Sequence, residues 1–171
     1  MPPRATLEKL YDEHAQAVFA YALNLTRNEA DAHDILQEVF LKLARQPETL
    51  AALREPRGYL LRLAHNQTMD LFRRQAVRQN RAEALSSEPE TVFAPTADPD
   101  EATFRHSLAQ ALAELPPEQR AVVHLKLWED MTFETIGAVL GISPNTAASR
   151  YRYGLDKLQA RLRPLYEELR A

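Results

Sequence analysis

The sequence predicts an all-α protein with two small helical domains joined by a flexible acidic linker. Only four glycines occur in 171 residues, and no alternating apolar and polar run is long enough to predict a strand. Apolar residues instead recur every three or four positions, which is the spacing of one helix face. The domains are expected at 1–81 and 105–171, with the linker at 82–104 and a helix-turn-helix in the second domain.

Composition excludes several classes of protein. The chain is 45% hydrophobic and 26% charged and has no cysteine, so disulfides, thiolate metal sites and cysteine catalysis are ruled out. No apolar run approaches the roughly 20 residues that cross a bilayer, and the N-terminal residues 1–4 lack a signal-peptide core. We therefore expect a cytoplasmic protein without membrane insertion.

Charge is distributed unevenly along the chain. The formal net charge of the whole chain is −3. Residues 54–81, however, carry seven arginines and two acidic residues, which gives this segment a charge of +5. Residues 82–104 carry six acidic residues and no lysine or arginine, a local charge of −6. The first segment is a candidate phosphate-binding patch, and the second predicts an extended acidic linker.

Three helices are predicted in the first domain. Thr6 is the expected cap of a helix at 7–25 and Asn28 the cap of the second, while a third is expected at 59–78 after an interruption around Pro56. The first helix has a set of residues spaced for burial: Leu7, Leu10, Tyr11, Ala15, Val18, Phe19, Ala22 and Leu25.

The second helix has two distinct faces. Its apolar stripe consists of Ile35, Leu36, Val39, Phe40 and Leu43. The opposite face carries Asp34, Gln37, Glu38 and Leu41, one turn apart from one another. A leucine within an outward acidic and amide face favours a docking surface for another protein. The alternative is a single exposed leucine without function, which is common on protein surfaces.

The third helix predicts a nucleic-acid surface. Its basic and polar face is separate from an apolar stripe and carries Tyr59, Arg62, Asn66 and Arg73. Arginine binds phosphate, asparagine hydrogen-bonds base edges, and an aromatic ring stacks on an unpaired base. This combination suits single-stranded or melted DNA, and the alternative is a solvated basic face.

A helix-turn-helix is predicted at 132–162. Thr132 is the expected cap of its first helix, Gly141 the left-handed residue that ends it, and Ser143 with Pro144 the start of its second helix. Five residues are expected to face inward on the second helix: Ala148, Tyr151, Leu155, Leu158 and Leu162. The residues expected to face a DNA groove are Thr146, Ser149, Arg150, Tyr153 and Lys157, with Arg152 at the flank. A helical hairpin without a DNA role is the alternative.

Three segments together resemble the extracytoplasmic-function (ECF) group of bacterial sigma factors. They are residues 34–40, the residues around the third helix that include Tyr59, Asn66, Asp70 and Arg73, and Leu115-Pro116-Pro117-Glu118-Gln119-Arg120 ahead of the helix-turn-helix. Their order and spacing within one chain carry the resemblance, which spans about 7–162.

The resemblance implies the roles of particular residues. Binding to the β′ clamp helices of core RNA polymerase is implied for Asp34, Gln37, Glu38 and Leu41. Recognition and opening of the minus-10 promoter element is implied for Arg57, Tyr59, Arg62, Asn66, Arg73 and Arg74, with Arg57 and Tyr59 in a loop before the helix. Recognition of the minus-35 element is implied for Asn145, Thr146, Ser149, Arg150 and Arg152. The β flap of polymerase, promoter DNA and an anti-sigma factor are the other implied partners.

Some positions depart from the family pattern. Ala147 and Ala148 stand where a valine and a basic residue are usual, so the promoter sequence is not transferable from a relative. Gly154 is expected to weaken the recognition helix by up to about 1 kcal/mol relative to alanine.

Three other classes of protein account for the sequence less well than a sigma factor does. No enzyme is expected, because the five histidines lack metal-ligand spacing and no nucleophile or phosphate-loop motif occurs; no metal or cofactor is expected either. A stand-alone dimeric helix-turn-helix regulator would leave the first domain unexplained. A sigma mimic that only sequesters an anti-sigma factor would not need arginines such as Arg62 and Arg150.

Overall fold

The computed structural model describes residues 3–79 and 96–170. All regular elements in these ranges are helices: α1 (Pro3–Thr26), α2 (Glu29–Ala44), α3 (Pro47–Ala52), α4 (Pro56–Gln79), α5 (Pro99–Glu114), α6 (Pro117–Leu127), α7 (Phe133–Leu140) and α8 (Pro144–Arg170). They form two compact units, α1–α4 and α5–α8. The predicted all-α fold is confirmed, and most of the predicted acidic linker, residues 82–95, lies outside the described residues.

The core of the first unit lies where α1 packs on α2 and α4. Fully buried side chains from these three helices include Val18, Tyr21, Leu25, Val39, Leu43, Leu60 and Leu61. Tyr21 is fully buried, and its hydroxyl forms a 2.9 Å hydrogen bond with His65 Nδ1 on α4. Burial raises the pKa of Tyr21, so its hydroxyl stays neutral and joins α1 to α4.

Helix starts in the first unit differ from the sequence prediction. Helix α1 begins at Pro3, so Thr6 lies inside the helix and does not cap it. The short helix α3, with Pro47 in its first turn, was not predicted. Tyr11, expected to be buried, is 46% exposed and places its ring edge against Phe40, with ring centroids 5.0 Å apart.

Four helices pack around a second core. Its centre is formed by α5, α6 and α8 through Ala111, Leu112, Leu115, Val123 and Leu158. Helix α5 begins at Pro99, six residues before the predicted second domain at 105–171, because Asp98 caps it by accepting hydrogen bonds from the backbone N–H groups of Asp100 (2.9 Å) and Glu101 (3.4 Å). The last six residues of the predicted linker are therefore helical.

The junction between α5 and α6 has the predicted form. Leu115 ends α5 and Pro117 lies in the first turn of α6, where a missing N–H has no cost. Arg120 is buried, and its guanidinium donates to the carbonyls of Leu112 (2.8 Å), Ala113 (3.1 Å) and Leu115 (2.8 Å). This side chain adds donors to carbonyls at the end of α5, of which that of Leu112 also accepts a 3.1 Å hydrogen bond from the backbone N–H of Leu115.

Candidate protein and nucleic-acid interfaces

The outward face of α2 carries the residues expected to dock a protein partner. Asp34 and Gln37 are exposed, Glu38 is half-buried, and the Leu41 side chain is 48% exposed. Every member of the predicted apolar stripe is buried on the other side of the helix. The predicted division of α2 into a buried and an outward face is confirmed, and Leu41 makes that outward face amphipathic.

Capping fixes where α2 begins. Asn28 Oδ1 accepts a hydrogen bond of 2.9 Å from the backbone N–H of Asp31, which satisfies one of the free donors of the first turn. The acidic side chains of Glu29 and Asp31 lie in that turn, where they complement the positive end of the helix dipole.

Among the described residues no cluster of histidine and carboxylate side chains is arranged to hold a metal ion.

Helix α4 presents the predicted basic face. Arg62, Asn66 and Arg73 are exposed, while Leu60, Leu63 and Ala64 are buried on the opposite side. Tyr59 is half-buried and Arg74 is exposed, and Arg73 pairs with Asp70 one turn earlier.

One prediction about α4 is wrong. A loop that includes Arg57 was expected to lead into a helix starting at Tyr59, but both residues lie in the first turn of α4 because α4 begins at Pro56. Proline favours that place, since its fixed φ suits a helix and it needs no N–H partner there. The Arg57 side chain is exposed and therefore accessible at the N-terminal end of the same helix.

A cleft of about 820 Å³ separates the outward face of α2 from the C-terminal half of α4. One wall carries Asp31, Asp34 and Glu38, and the other carries Arg73, Arg74 and Arg78. Asp34 and Glu38, which were predicted to bind polymerase, thus share one cleft with Arg73 and Arg74, which were predicted to bind DNA. Sequence periodicity shows the faces of single helices only, so it gave no signal of this juxtaposition.

The corner between α7 and α8 is built by short local hydrogen bonds. Thr132 Oγ1 accepts from the backbone N–H of Thr135 (3.1 Å), and Ser143 Oγ accepts from that of Thr146 (3.1 Å). Gly141 has φ +71°, a left-handed conformation that glycine adopts without strain. The predicted helix-turn-helix, with its caps and its glycine corner, is confirmed.

The recognition helix α8 is rotated slightly from the predicted orientation. Its most buried residues are Ala147, Gly154 and Leu158, whereas Ala148, Tyr151, Leu155 and Leu162 are only partly buried. The candidate DNA-facing residues remain accessible: Asn145 and Arg152 are exposed, and Thr146, Ser149 and Arg150 are half-buried. Thr146 also accepts a 2.9 Å hydrogen bond from the Ser143 hydroxyl, which fixes its rotamer at the N-terminus of the helix.

An apolar groove of about 490 Å³ lies elsewhere on the second unit, beside α8. Its walls include Phe104 from α5, Leu127 at the end of α6 and Tyr166 near the end of α8. These three side chains are between 39% and 59% exposed. The sequence pattern gives no sign of this surface, because its members come from three separate helices.

Each of the two units matches a known protein family. The model of Sigma-70 region 2 matches residues 10–78, and that of Sigma-70 region 4 matches residues 105–158. The ECF RNA polymerase sigma factor SigL of Mycobacterium tuberculosis is 34% identical over 165 residues, which cover 94% of this chain and 91% of SigL. This chain is an ECF RNA polymerase sigma factor.

A further relative and a solved structure are also similar to this sigma factor over most of its length. The RNA polymerase sigma factor CarQ of Myxococcus xanthus is 33% identical over 164 residues, covering 95% of this chain and 92% of CarQ. Among solved structures, the sigma factor RpoE of Bartonella quintana, crystallised with the anti-sigma factor NepR, matches with a TM-score of 0.75 at 18% identity, over 91% of this chain and 96% of RpoE. At that identity the structural match establishes the fold.

The three groups of candidate residues fall within the two matched regions. Region 2 contains α2 and α4 with the outward face of α2 and the basic face of α4, and region 4 contains the helix-turn-helix. No described helix of the sigma factor is both long and apolar enough to cross a membrane.

Proposed function

We propose that this sigma factor binds core RNA polymerase through the outward face of α2, with Asp34, Gln37, Glu38 and Leu41 on the β′ clamp helices. The exposed Leu41 within a polar face carries this proposal. An apolar side chain surrounded by carboxylate and amide groups suits a partner surface with a small hydrophobic contact and a basic rim.

Helix α4 is proposed to bind and help open the minus-10 element. The residues assigned to this step are Arg57, Tyr59, Arg62, Asn66, Arg73 and Arg74. The exposure of the arginines along one helix supports phosphate binding along a strand, and Tyr59 supplies a ring for base stacking. Melted DNA offers both unpaired bases and flexible phosphates, which such a face accommodates better than rigid duplex.

Helix α8 is proposed to read the minus-35 element in the major groove. Its contact residues are Asn145, Thr146, Ser149, Arg150 and Arg152. All five lie in the first two to three turns of the second helix of the helix-turn-helix, which is the part of such a helix that meets base edges. Arginine and asparagine side chains supply the bidentate contacts to guanine and adenine.

Partners of the second unit follow from its apolar groove. We assign the groove lined by Phe104, Leu127 and Tyr166 to the β flap of polymerase, because an amphipathic helix buries one apolar face in such a groove. An anti-sigma factor is proposed as a competing partner, since the structurally similar RpoE was crystallised with one.

The proposed role is cytoplasmic and not enzymatic. Polymerase performs the phosphoryl transfer of transcription, and this chain supplies promoter choice and strand opening. A stand-alone operator-binding regulator accounts for the second unit only, whereas the region 2 match covers residues 10–78 as well.

Capture of core polymerase tests the assignment of α2. Immobilised wild-type protein is expected to retain purified bacterial core polymerase, and Leu41→Asp is expected to lose it while keeping its melting temperature. Val77→Asp is the matched control, since Val77 is also apolar and 60% exposed but lies on α4. Equal capture by wild type and Leu41→Asp would refute the assignment, as would equal loss with Val77→Asp.

A further inference from the structure

Ring contacts join α1 to α2 along one side of the first unit. Tyr11 of α1 places its ring edge against Phe40 of α2, with centroids 5.0 Å apart and an interplanar angle of 66°. About two turns further along α1, the ring of Phe19 lies with its centroid 4.6 Å from that of His33, which is near the start of α2. The two helices therefore pack side by side and antiparallel over this length.

The outward face of α2 borders α1 on this side. His33, Gln37 and Leu41 follow one another at intervals of four residues, so they form one row along the helix. The His33 side chain is 56% exposed, and its ring contacts Phe19 of α1. The row that carries Leu41 thus runs along the border with α1, and a partner that binds Leu41 comes close to that helix.

The neighbouring edge of α1 has the same composition as the outward face of α2. Tyr11 supplies a large aromatic ring that is 46% exposed, and the acidic residues Glu8 and Asp12 are exposed beside it on α1. An accessible ring with acidic neighbours repeats the arrangement of Leu41 beside Glu38. Both edges therefore suit a single partner surface that has apolar side chains and a basic rim.

We propose that the polymerase-docking surface continues from α2 onto α1, with Tyr11 as a further residue that binds the β′ clamp helices. The proposal rests on the proposed function of α2. Tyrosine is prominent among the residues that dominate protein interfaces, because its ring buries a large area and loses little conformational entropy. The contact with Phe40 orients the ring of Tyr11 before the partner binds, which lowers the entropic cost of association.

A binding titration measures the contribution of Tyr11. Purified bacterial core polymerase is titrated, without DNA, into the fluorescently labelled full chain, and Tyr11→Ala is expected to weaken the affinity about tenfold. Tyr11→Phe keeps the ring and should bind within about twofold of wild type. Val77→Ala is the matched control, because Val77 is 60% exposed but lies on α4. Affinity of Tyr11→Ala within about twofold of wild type would overturn the proposal, as would equal weakening by Val77→Ala.

Photocrosslinking separates direct contact from a role of Tyr11 in supporting Phe40 alone. Benzoylphenylalanine in place of Tyr11 keeps an aromatic ring at this position and is expected to crosslink to the β′ subunit when the complex is irradiated. The same amino acid in place of Glu13 is the control, because the Glu13 side chain is 50% exposed but lies about 200° around α1 from Tyr11. Binding of polymerase without a crosslink from position 11, or equal crosslinking from position 13, would overturn the proposal.

Leu41→Asp distinguishes failure of this proposal from failure of the function on which it rests. Loss of polymerase binding by Leu41→Asp together with unchanged affinity of Tyr11→Ala would overturn only the extension onto α1. Full affinity of Leu41→Asp would refute the proposed function of α2, and the extension with it.

Discussion

Gly154 of α8 lies directly against Val123 of α6. A Cβ atom at position 154 would lie 2.8 Å from Val123 Cγ2 and 3.5 Å from Gln119 Cβ, and the first distance is shorter than real Cβ contacts allow. From the sequence, Gly154 was expected to weaken the recognition helix. In the structure it allows α8 to pack closely on α6, and this contact orients the helix-turn-helix relative to the core of the second unit.

Gly154→Ala is expected to destabilise the second unit. Alanine adds up to about 1 kcal/mol of helix propensity, but overpacking against the stiff, β-branched Val123 costs about 1–3 kcal/mol. The single tryptophan, Trp128 at the end of α6, lies in this unit, so its fluorescence during denaturant unfolding measures the effect. Ser149→Ala in the same helix is the control, and a gain in stability from Gly154→Ala would contradict this packing account.

Replacing Arg120 is expected to have a larger effect. Arg120→Ala leaves three carbonyls at the end of α5 without their guanidinium donor, and we expect a loss of about 3 kcal/mol or more in the free energy of unfolding. Arg120→Lys should recover only part of this loss, because one ammonium cannot reproduce the fork of donors. If both variants unfold like wild type in denaturant, the guanidinium does not hold the end of α5.

The second unit is expected to lose stability in mild acid because of His124. Burial lowers the pKa of His124 to about 4, while the unfolded chain takes up the proton near pH 6.5. The contribution of the neutral ring to the free energy of unfolding is therefore complete above about pH 6.5. It declines as the pH falls toward about 4, because only the unfolded chain takes up the proton in that range, and it stays constant below that. Its full size is about 3 kcal/mol.

A non-titrating residue at the same place isolates this effect. Between about pH 7 and about pH 5, wild type is expected to lose about 2 kcal/mol more unfolding free energy than His124→Met. Circular dichroism is the suitable measurement, because the His124 ring lies beside Trp128 and alters its fluorescence. Identical pH profiles for the two proteins would show that His124 does not become protonated on unfolding in this range.

Two glycines of the helix-turn-helix are expected to differ in their tolerance of alanine. At Gly137 a Cβ would lie 2.6 Å from the backbone oxygen of Ile142, whereas at Gly141 no atom lies within 4 Å. Gly141→Ala should cost about 1 kcal/mol from its positive φ, and Gly137→Ala about 2 kcal/mol or more, since the corner itself must move. Denaturant unfolding followed by Trp128 fluorescence checks the order, and a larger loss from Gly141→Ala would contradict it.

Predictions from sequence were most accurate where the structure depends on neighbours in the chain. Caps at Asn28, Thr132 and Ser143 each bond a backbone N–H three residues later, and the left-handed turn at Gly141 depends on that residue's own φ. Side-chain periodicity likewise gave the two faces of α2 correctly. Both signals are local, so they can be read without knowledge of the fold.

Predictions failed where a residue's role depends on a distant partner. Tyr11 has helix-face spacing but is 46% exposed, with its ring edge against Phe40. The inward face of α8 includes Ala147 and Gly154 because α5, α6 and α7 all pack on this helix, and the role of Gly154 depends on Val123, 31 positions earlier in the chain. Periodicity within one helix contains no information about such contacts.

The sequence by itself determined the longer helices, their main faces and the helix-turn-helix corner, because these depend on residues within a few turns of one another. It also determined the resemblance to ECF sigma factors, through the order and spacing of three segments. Only the tertiary structure decided that the acidic face of α2 and the arginines of α4 share one cleft, and that the apolar groove on the second unit draws its walls from three helices. Coulombic and packing interactions act between side chains that are close in space, whatever their separation along the chain.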